Sequence, residues 1–594
     1  MPPKTTKRSL TWDFSDLFKS DDDPAIQTKR AEVTKATNTF VKNWKERKDY
    51  LKDPKILRKA LDEYENWARF FGFGGNEAYY FSLRFTQNQT DTSVKAKSQL
   101  AEDFSKDITN KIRFFELNIA KIPESEQQKF LKAKELESYK HFLEMAFAEA
   151  KYLLTEREEM IMSMKSSTAY SNWVDMTETF LVKEERNGQD FSTLLTEMSS
   201  KDKKARDKAA EGFNDILNKY AEVAEVELNN VINDKKTNDI IRNVPRPDIT
   251  RHMADDMDSK AVDTMLEAVE ECFGVPARYY KLKAKLLGVK KLEYHERNVE
   301  YGSLDKKYTW DESVELIRKV YSRLDSDFLR IFDTFLSEGR FDVYPAKGKA
   351  SGAFCAHYLI SQPTYILLNH TGTLRDVLTI AHEVGHGINN ELIREKQNAL
   401  HFGTPTSTAE VASTFMEDFV LEELMKEASD ELKLTLGVMK MDEEVSTIFR
   451  QVAAYRFEQE LHNQIRKEGY LSKEAIGKIF QKHMKAYMGT AVEQSPGSEN
   501  WWIYWSHIRN YFYVYSYAGG LLISKNLQQQ VRNDSKNIKK VKEFLSAGRA
   551  ESPKDIFKKL GIDMTKPMFW KDGLRAVDEE LKRLEALAKR MKKV

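Results

Sequence analysis

The chain has 594 residues, 41% of them hydrophobic and 11% aromatic, which suits a large buried core and excludes wholesale disorder. Its 94 lysines and arginines balance 93 aspartates and glutamates, so a net charge of +1 provides no field for nucleic acid or an anionic membrane surface. Two cysteines are too few for a disulfide framework or a cysteine-built metal site, and no run approaches the roughly 18 apolar residues of a spanning helix.

The chain opens MPPKTTKRSLTWDFSDLF, with basic residues but no apolar stretch behind them; the expectation is a cytoplasmic protein without a secretion signal. Only 14 prolines and 25 glycines interrupt it, and the pattern between them is helical. Ser199–Lys204 (SSKDKK) reads either as a lobe boundary or as a solvated helix end. Taken as a boundary it gives an N-terminal helical lobe over 1–200 and a catalytic domain over 201–594. Ala209–Val231 places Phe213, Ile216, Leu217 and Tyr220 on one helical face, and Asp258-Ser259 reads as an N-cap. No period of 20–50 residues supports a solenoid. Gly339–Asn369 departs from this texture: FDVY alternates, turn signals follow at Lys347-Gly348-Lys349 and Ser361-Gln362-Pro363, and Tyr365–Leu368 is apolar. This predicts a small antiparallel sheet. The C-terminal Asp578–Val594 reads as a charged amphipathic helix with a solvated face.

Directly after the sheet stands His382-Glu383-Val384-Gly385-His386, the H-E-x-x-H pattern. Residues four apart on a helix lie about 40° apart around the axis, so both imidazoles can reach one tetrahedral zinc while Glu383 serves as base to a zinc-activated water. The competing interpretation is a plain helix with two surface histidines. Gly385 weighs against it, because a mid-helix glycine costs about 1 kcal/mol relative to alanine and needs a close approach to justify it. A catalytic zinc needs a third ligand, and Glu410, 28 residues after His382 in a helix beginning near Thr406-Ser407-Thr408, supplies it. Glu417, two turns on, can orient a ligand imidazole. Farther along, ENWWIYWSHIRNYFYVYSYAGG (Glu499–Gly520) sets four tyrosines after His507. Core packing accounts for most of these rings. Yet zinc hydrolysis of a peptide creates an oxyanion that a phenol or imidazole can stabilise, and Tyr513 and Tyr517 stand four apart.

Taken together, LTWDFSDLF (Leu10–Phe18), SGAFCAHY (Ser351–Tyr358), the run Ile366–Asn390 through the zinc motif, TAEVASTFMED (Thr408–Asp418) and HIRNYFYVYSYAGG (His507–Gly520) resemble, in order, the oligoendopeptidase F branch of the thimet-oligopeptidase-like zinc peptidases. The resemblance spans nearly the whole chain. It implies a mainly α, two-lobed fold with a deep channel and a small sheet beside the motif helix. One zinc is held by His382, His386 and Glu410, with Glu383 as general base. Gly352-Ala353-Phe354 becomes an edge strand for substrate backbone, with Tyr513 also substrate-binding. His507 and Tyr517 match the family's spacing of oxyanion donors; Val514 stands where some relatives carry a further tyrosine, which leaves the exact roles of Tyr511, Tyr513 and Tyr515 open.

The reading that results is a zinc endopeptidase acting inside short unstructured oligopeptides, monomeric, with neither nucleic acid nor membrane as partner. Two rivals accompany it. A carboxypeptidase or dipeptidyl carboxypeptidase would need a cation to grip the substrate's terminal carboxylate, and Arg509 is the cation of the tyrosine cluster. A non-catalytic peptide-binding protein with structural zinc would have no use for Glu383.

Overall fold

A computed structural model describes residues 10–186, 188–304 and 306–594, and the chain is mainly helical. The basic stretch before Leu10 lies outside the described residues. Local chemistry sets many helix starts. Asp202 accepts the Lys204 N–H at 2.9 Å and opens a 39-residue helix, Lys203–Ile241, whose Phe213, Ile216 and Leu217 are buried. Asp258 caps Ser259–Glu271 in the same way, through Lys260 and Ala261.

The apolar residues form one large core running from Leu181 to Ala588 and a second within Val33–Phe147. A third cluster joins Trp12, Leu17 and Phe18 to Tyr79, Tyr80, Tyr365 and Leu367. The segment beginning at Leu10 therefore lies along the catalytic-side sheet. Val343 N–H donates to Leu10 O at 3.0 Å, and Trp12 Nε1–H donates to Ile366 O at 3.0 Å.

A short ribbon, β1 (Glu185–Arg186) with β2 (Gln189–Asp190), precedes the long helix. The sheet itself comprises β3 (Phe341–Asp342), β4 (Phe354–Ala356) and β5 (Tyr365–Leu367) in the order β3-β5-β4. It is mixed rather than wholly antiparallel. β4 pairs antiparallel with β5, but β3 runs parallel to it, Phe341 facing Ile366. The physical reason is that no tight hairpin joins β3 to β4; the long connection lets fully buried β5 insert between them and take a partner on each side. Gly352, at φ +80°, and Ala353 lead into β4 and are not themselves in the strand, which begins at Phe354 and forms an edge of the sheet.

The helix after the sheet, Leu374–Lys396, starts with a reciprocal capping box. Thr373 Oγ1 accepts the Asp376 N–H at 3.2 Å, and Asp376 Oδ2 accepts the Thr373 N–H at 2.8 Å. Val377, Ile380, Ala381, Val384 and Ile388 bury its inner face.

Candidate active site

Two helices make the centre of the site: the motif helix Leu374–Lys396 and the helix Glu410–Lys426. Gly385 explains how they meet. A Cβ at that position would lie 2.6 Å from Ser413 Cα and 2.8 Å from Ala412 O, so the two backbones touch where only glycine fits. Thr406–Thr408, the expected start of the second helix, instead forms a 3₁₀ turn before it; Ser407 Oγ is drawn off to Asp255 O at 3.0 Å.

The crossing brings three side chains together. Glu410 Oε2 lies 3.3 Å from His382 Nε2 and 3.5 Å from His386 Nε2, and the three ligand atoms fall within 4.8 Å of one another. Two imidazole nitrogens and a carboxylate oxygen, partly open to solvent, are a donor set that could hold a divalent metal ion and leave room for a fourth ligand. The other face of His382 is fixed: Glu417 Oε2 sits 3.0 Å from Nδ1, the arrangement that sets tautomer and ring direction in a metal-binding histidine. Asp418, next to Glu417, points away and pairs with Lys440 and Arg532.

Charge and burial divide these groups. Burial opposes ionisation of Glu410, but the hydrogen bond with His382 and the two imidazoles outweigh it and bring its carboxyl to about 2. Burial pulls His386 down to about 4, which keeps it neutral and able to ligate. For His382 burial works against the charged ring, yet Glu410 and Glu417 hold it well above its ordinary range. Glu383, 8% exposed, is pushed up to about 7, chiefly by burial. The backbone of Cys355 in β4 also faces its carboxylate and works weakly against that rise. An adjoining cavity of about 910 Å³ is lined by Ala353, Leu378, His382, Glu383 and Glu417.

On another side stands the aromatic cluster. His507 lies in a 3₁₀ turn, Ser506–Asn510, with Nε2 3.1 Å from Tyr517 Oη. The helix carrying Tyr517 begins only at Tyr515, so Tyr513 sits in the turn before it and the expected helical i, i+4 relation does not apply. The rings converge nevertheless: Tyr513 and Tyr517 are 5.4 Å apart and perpendicular, and His507 is 5.9 Å from Tyr513. Tyr517 is close enough to Glu410 for that charge to help burial in raising its phenol. Tyr511 and Tyr515 have other partners, donating to Val231 O at 2.9 Å and Asp255 Oδ2 at 3.0 Å. Arg509 is buried in an ion pair with Glu227 and is not free to grip a substrate carboxylate.

Sequence reasoning missed His357 and Asn390. Asn390 Nδ2 lies 2.9 Å from His357 Nδ1, and His357 packs edge-on to Phe402. One signal was available: Asn390 stands four residues after His386, hence on the same helical face.

The model of Peptidase family M3 matches residues 195–576, and that of Oligopeptidase F matches residues 118–182. An oligoendopeptidase F homolog of Borreliella burgdorferi is 26% identical over 574 residues, covering 93% of this chain and 94% of that one. Oligopeptidase PepF of Bacillus subtilis is 25% identical, covering 86% and 78%. Among solved structures, a Chlamydophila abortus chain described as a peptidase superposes with a TM-score of 0.84 at 21% identity, covering 97% of this chain and 98% of that one. Oligoendopeptidase-F from Enterococcus faecium gives 0.68 at 18% identity, covering 95% and 99%. At these identities the two structures speak for the fold, which is mainly α and two-lobed.

Proposed function

From the premise that the chain belongs to peptidase family M3, and is therefore a metallopeptidase, we propose a zinc endopeptidase that cuts internal bonds of short, unstructured oligopeptides. The observation that carries the metal assignment is the convergence of His382, His386 and Glu410 within 4.8 Å, with Glu417 behind His382. Zinc held there supplies a Lewis acid that polarises the scissile carbonyl and acidifies water.

The chain's own groups do the rest. Glu383 takes the proton of the attacking water on its carboxylate and delivers it to the leaving nitrogen; burial, which lifts its affinity for a proton to about 7, suits a group that must both accept and donate. His507 Nε2 and Tyr517 Oη, already 3.1 Å apart, donate to the developing oxyanion, each worth about 10²–10³ in rate. The edge strand β4, entered through Gly352 and Ala353, offers backbone to a peptide running past Phe354, with Tyr513 flanking the site. Such pairing requires an extended substrate, which folded proteins do not present.

A terminal-carboxylate grip would favour exopeptidase action, and Arg509, the cation that would serve, is committed to Glu227. A division of the chain near residue 200, a monomeric state and cytoplasmic residence complete the proposal. Among the described residues both cysteines are free and no helix is long and apolar enough to cross a membrane. The test is cleavage of a mixed set of short, quenched, end-blocked peptides, with the products identified by mass. Internal cleavage by zinc-loaded protein, abolished by chelation and restored by zinc, is expected. Cleavage only of peptides with free C-termini would overturn the endopeptidase reading.

A further inference from the structure

Tyr511 and Phe512 both have left-handed backbone, with φ of 42° and 60°. That conformation is unfavourable for residues bearing a Cβ, and two in succession persist only where the surroundings over-determine them. They lie in the strap between His507 and Tyr513, so whatever holds this turn also sets where His507 meets Tyr517.

A buried ion pair lies at its centre. Arg509, 4% exposed, directs Nε and Nη2 to the two carboxylate oxygens of fully buried Glu227 at 3.1 and 2.6 Å. Its Nη1 donates to the carbonyls of Trp502 and Trp505 at 2.8 and 3.4 Å. One guanidinium thus ties the chain ahead of His507 to the long helix Lys203–Ile241. Three further bonds fix the other side: Phe512 N–H donates to Glu458 Oε2 at 2.6 Å, Tyr511 Oη to Val231 O at 2.9 Å, and Tyr170 Oη to Arg509 O at 2.8 Å.

Resting on the reading of His507 and Tyr517 as oxyanion donors, we propose that Arg509 and Glu227 are positioning residues for that pair. Apolar side chains could fill the same volume with equal or better stability, since a buried ion pair is often no more stabilising than packed hydrocarbon. They could not fix distance and direction. A planar fork bonded on both sides does, and misplacement of a catalytic group by about 1 Å can cost on the order of 10²-fold in rate.

Truncating one partner would strand a buried charge, so the test replaces both, Glu227→Met with Arg509→Met, in the full zinc-loaded chain. Turnover, KM, bound zinc and melting temperature are compared in two backgrounds: wild type, and His507→Ala with Tyr517→Phe. In the wild-type background kcat should fall about 10- to 100-fold, while KM and zinc content stay within about twofold. In the second background the same pair should cost less than about twofold, because the groups it positions are gone. An equal loss in both backgrounds, or no loss in the first, overturns the proposal. Normal turnover with His507→Ala and Tyr517→Phe alone overturns the oxyanion reading and this inference with it. Should the paired variant not fold, Arg509→Lys, which keeps the charge without the fork, is measured in both backgrounds and should show the same pattern with about a 10-fold loss.

Discussion

In the proposed mechanism Glu383 is the residue on which the chemistry turns. It is buried against β4, and burial raises its carboxyl to about 7 within the chain itself. A bound dication adds positive charge and lowers that value, so kcat/KM should rise with pH through a limb at or below about 7 as the carboxylate loses its proton. Glu383→Gln should reduce kcat about 10²–10⁴-fold while zinc stoichiometry stays at one, and should erase this acidic limb; an unchanged limb would assign it to another group. Tyr517→Phe removes a donor without removing a ring. Its expected signature is a fall of about 10²–10³ in kcat at nearly constant KM, the mark of a contact made in the transition state. Steady-state kinetics on one blocked peptide checks both.

Among the elements, the crossing of Leu374–Lys396 with Glu410–Lys426 decides whether a metal site exists. Gly385→Ala sets two effects against each other. Alanine adds about 1 kcal/mol of helix propensity, but its Cβ would stand 2.6 Å from Ser413 Cα, a backbone atom that cannot rotate away. Overpacking of this kind costs about 1–3 kcal/mol or more, so the clash wins and the helices separate. Gly385→Ala should therefore lose zinc affinity by about 10–100-fold, the scale seen when support of a metal ligand is disturbed, together with a lowered melting temperature. Competition against a chelator measures it. The C-terminal helix is likewise defined by contacts. It runs from Pro567 to Arg590, beginning earlier than its charge pattern suggests, and its basic end docks on Asp430 and Glu431, with Arg590 3.1 Å and Lys593 3.0 Å from them.

Over the whole molecule, Lys525 connects the site to the outer helices. It is 2% exposed and pairs with Glu444, with Glu580 at 3.2 Å and with Asp418 at 3.7 Å; Lys440 and Arg532 complete the network. Helix Glu410–Lys426, helix Asp430–Glu444, the tyrosine helix and the C-terminal helix all contribute. Lys525→Met would leave the buried carboxyl groups of Asp418, Glu444 and Glu580 with only two cations, a loss of about 3–5 kcal/mol. The sign of its pH dependence follows from Glu444, already pushed up to about 8, first by burial and then by Glu580. A carboxyl raised in the folded state holds a proton there that the unfolded chain releases, so stability falls as pH rises between the two pKa values. Without Lys525 that carboxyl rises further, so the melting-temperature gap between variant and wild type should stay level up to about pH 8 and widen above it. A gap independent of pH would show that packing, not charge, dominates the site.

The sequence by itself determined the helical class, the capped start of the helix Ser259–Glu271 and the residue types at the candidate metal centre. Those follow from local rules: side-chain period, caps, and two imidazoles one turn apart. It also marked Gly385 as anomalous, since no local benefit offsets a glycine in mid-helix. Tertiary structure decided what local rules cannot express. β5 inserted between β3 and β4 because burial on both faces favours a central strand. Tyr513 left the helix that its spacing suggested, because Glu458 and Arg251 hold the preceding turn in a left-handed path. Arg509, which composition alone would leave at the surface, is buried because Glu227, 282 residues earlier in the chain, meets it across the core. Contacts between residues so far apart leave no periodic trace in sequence, and only the packed chain brings them together.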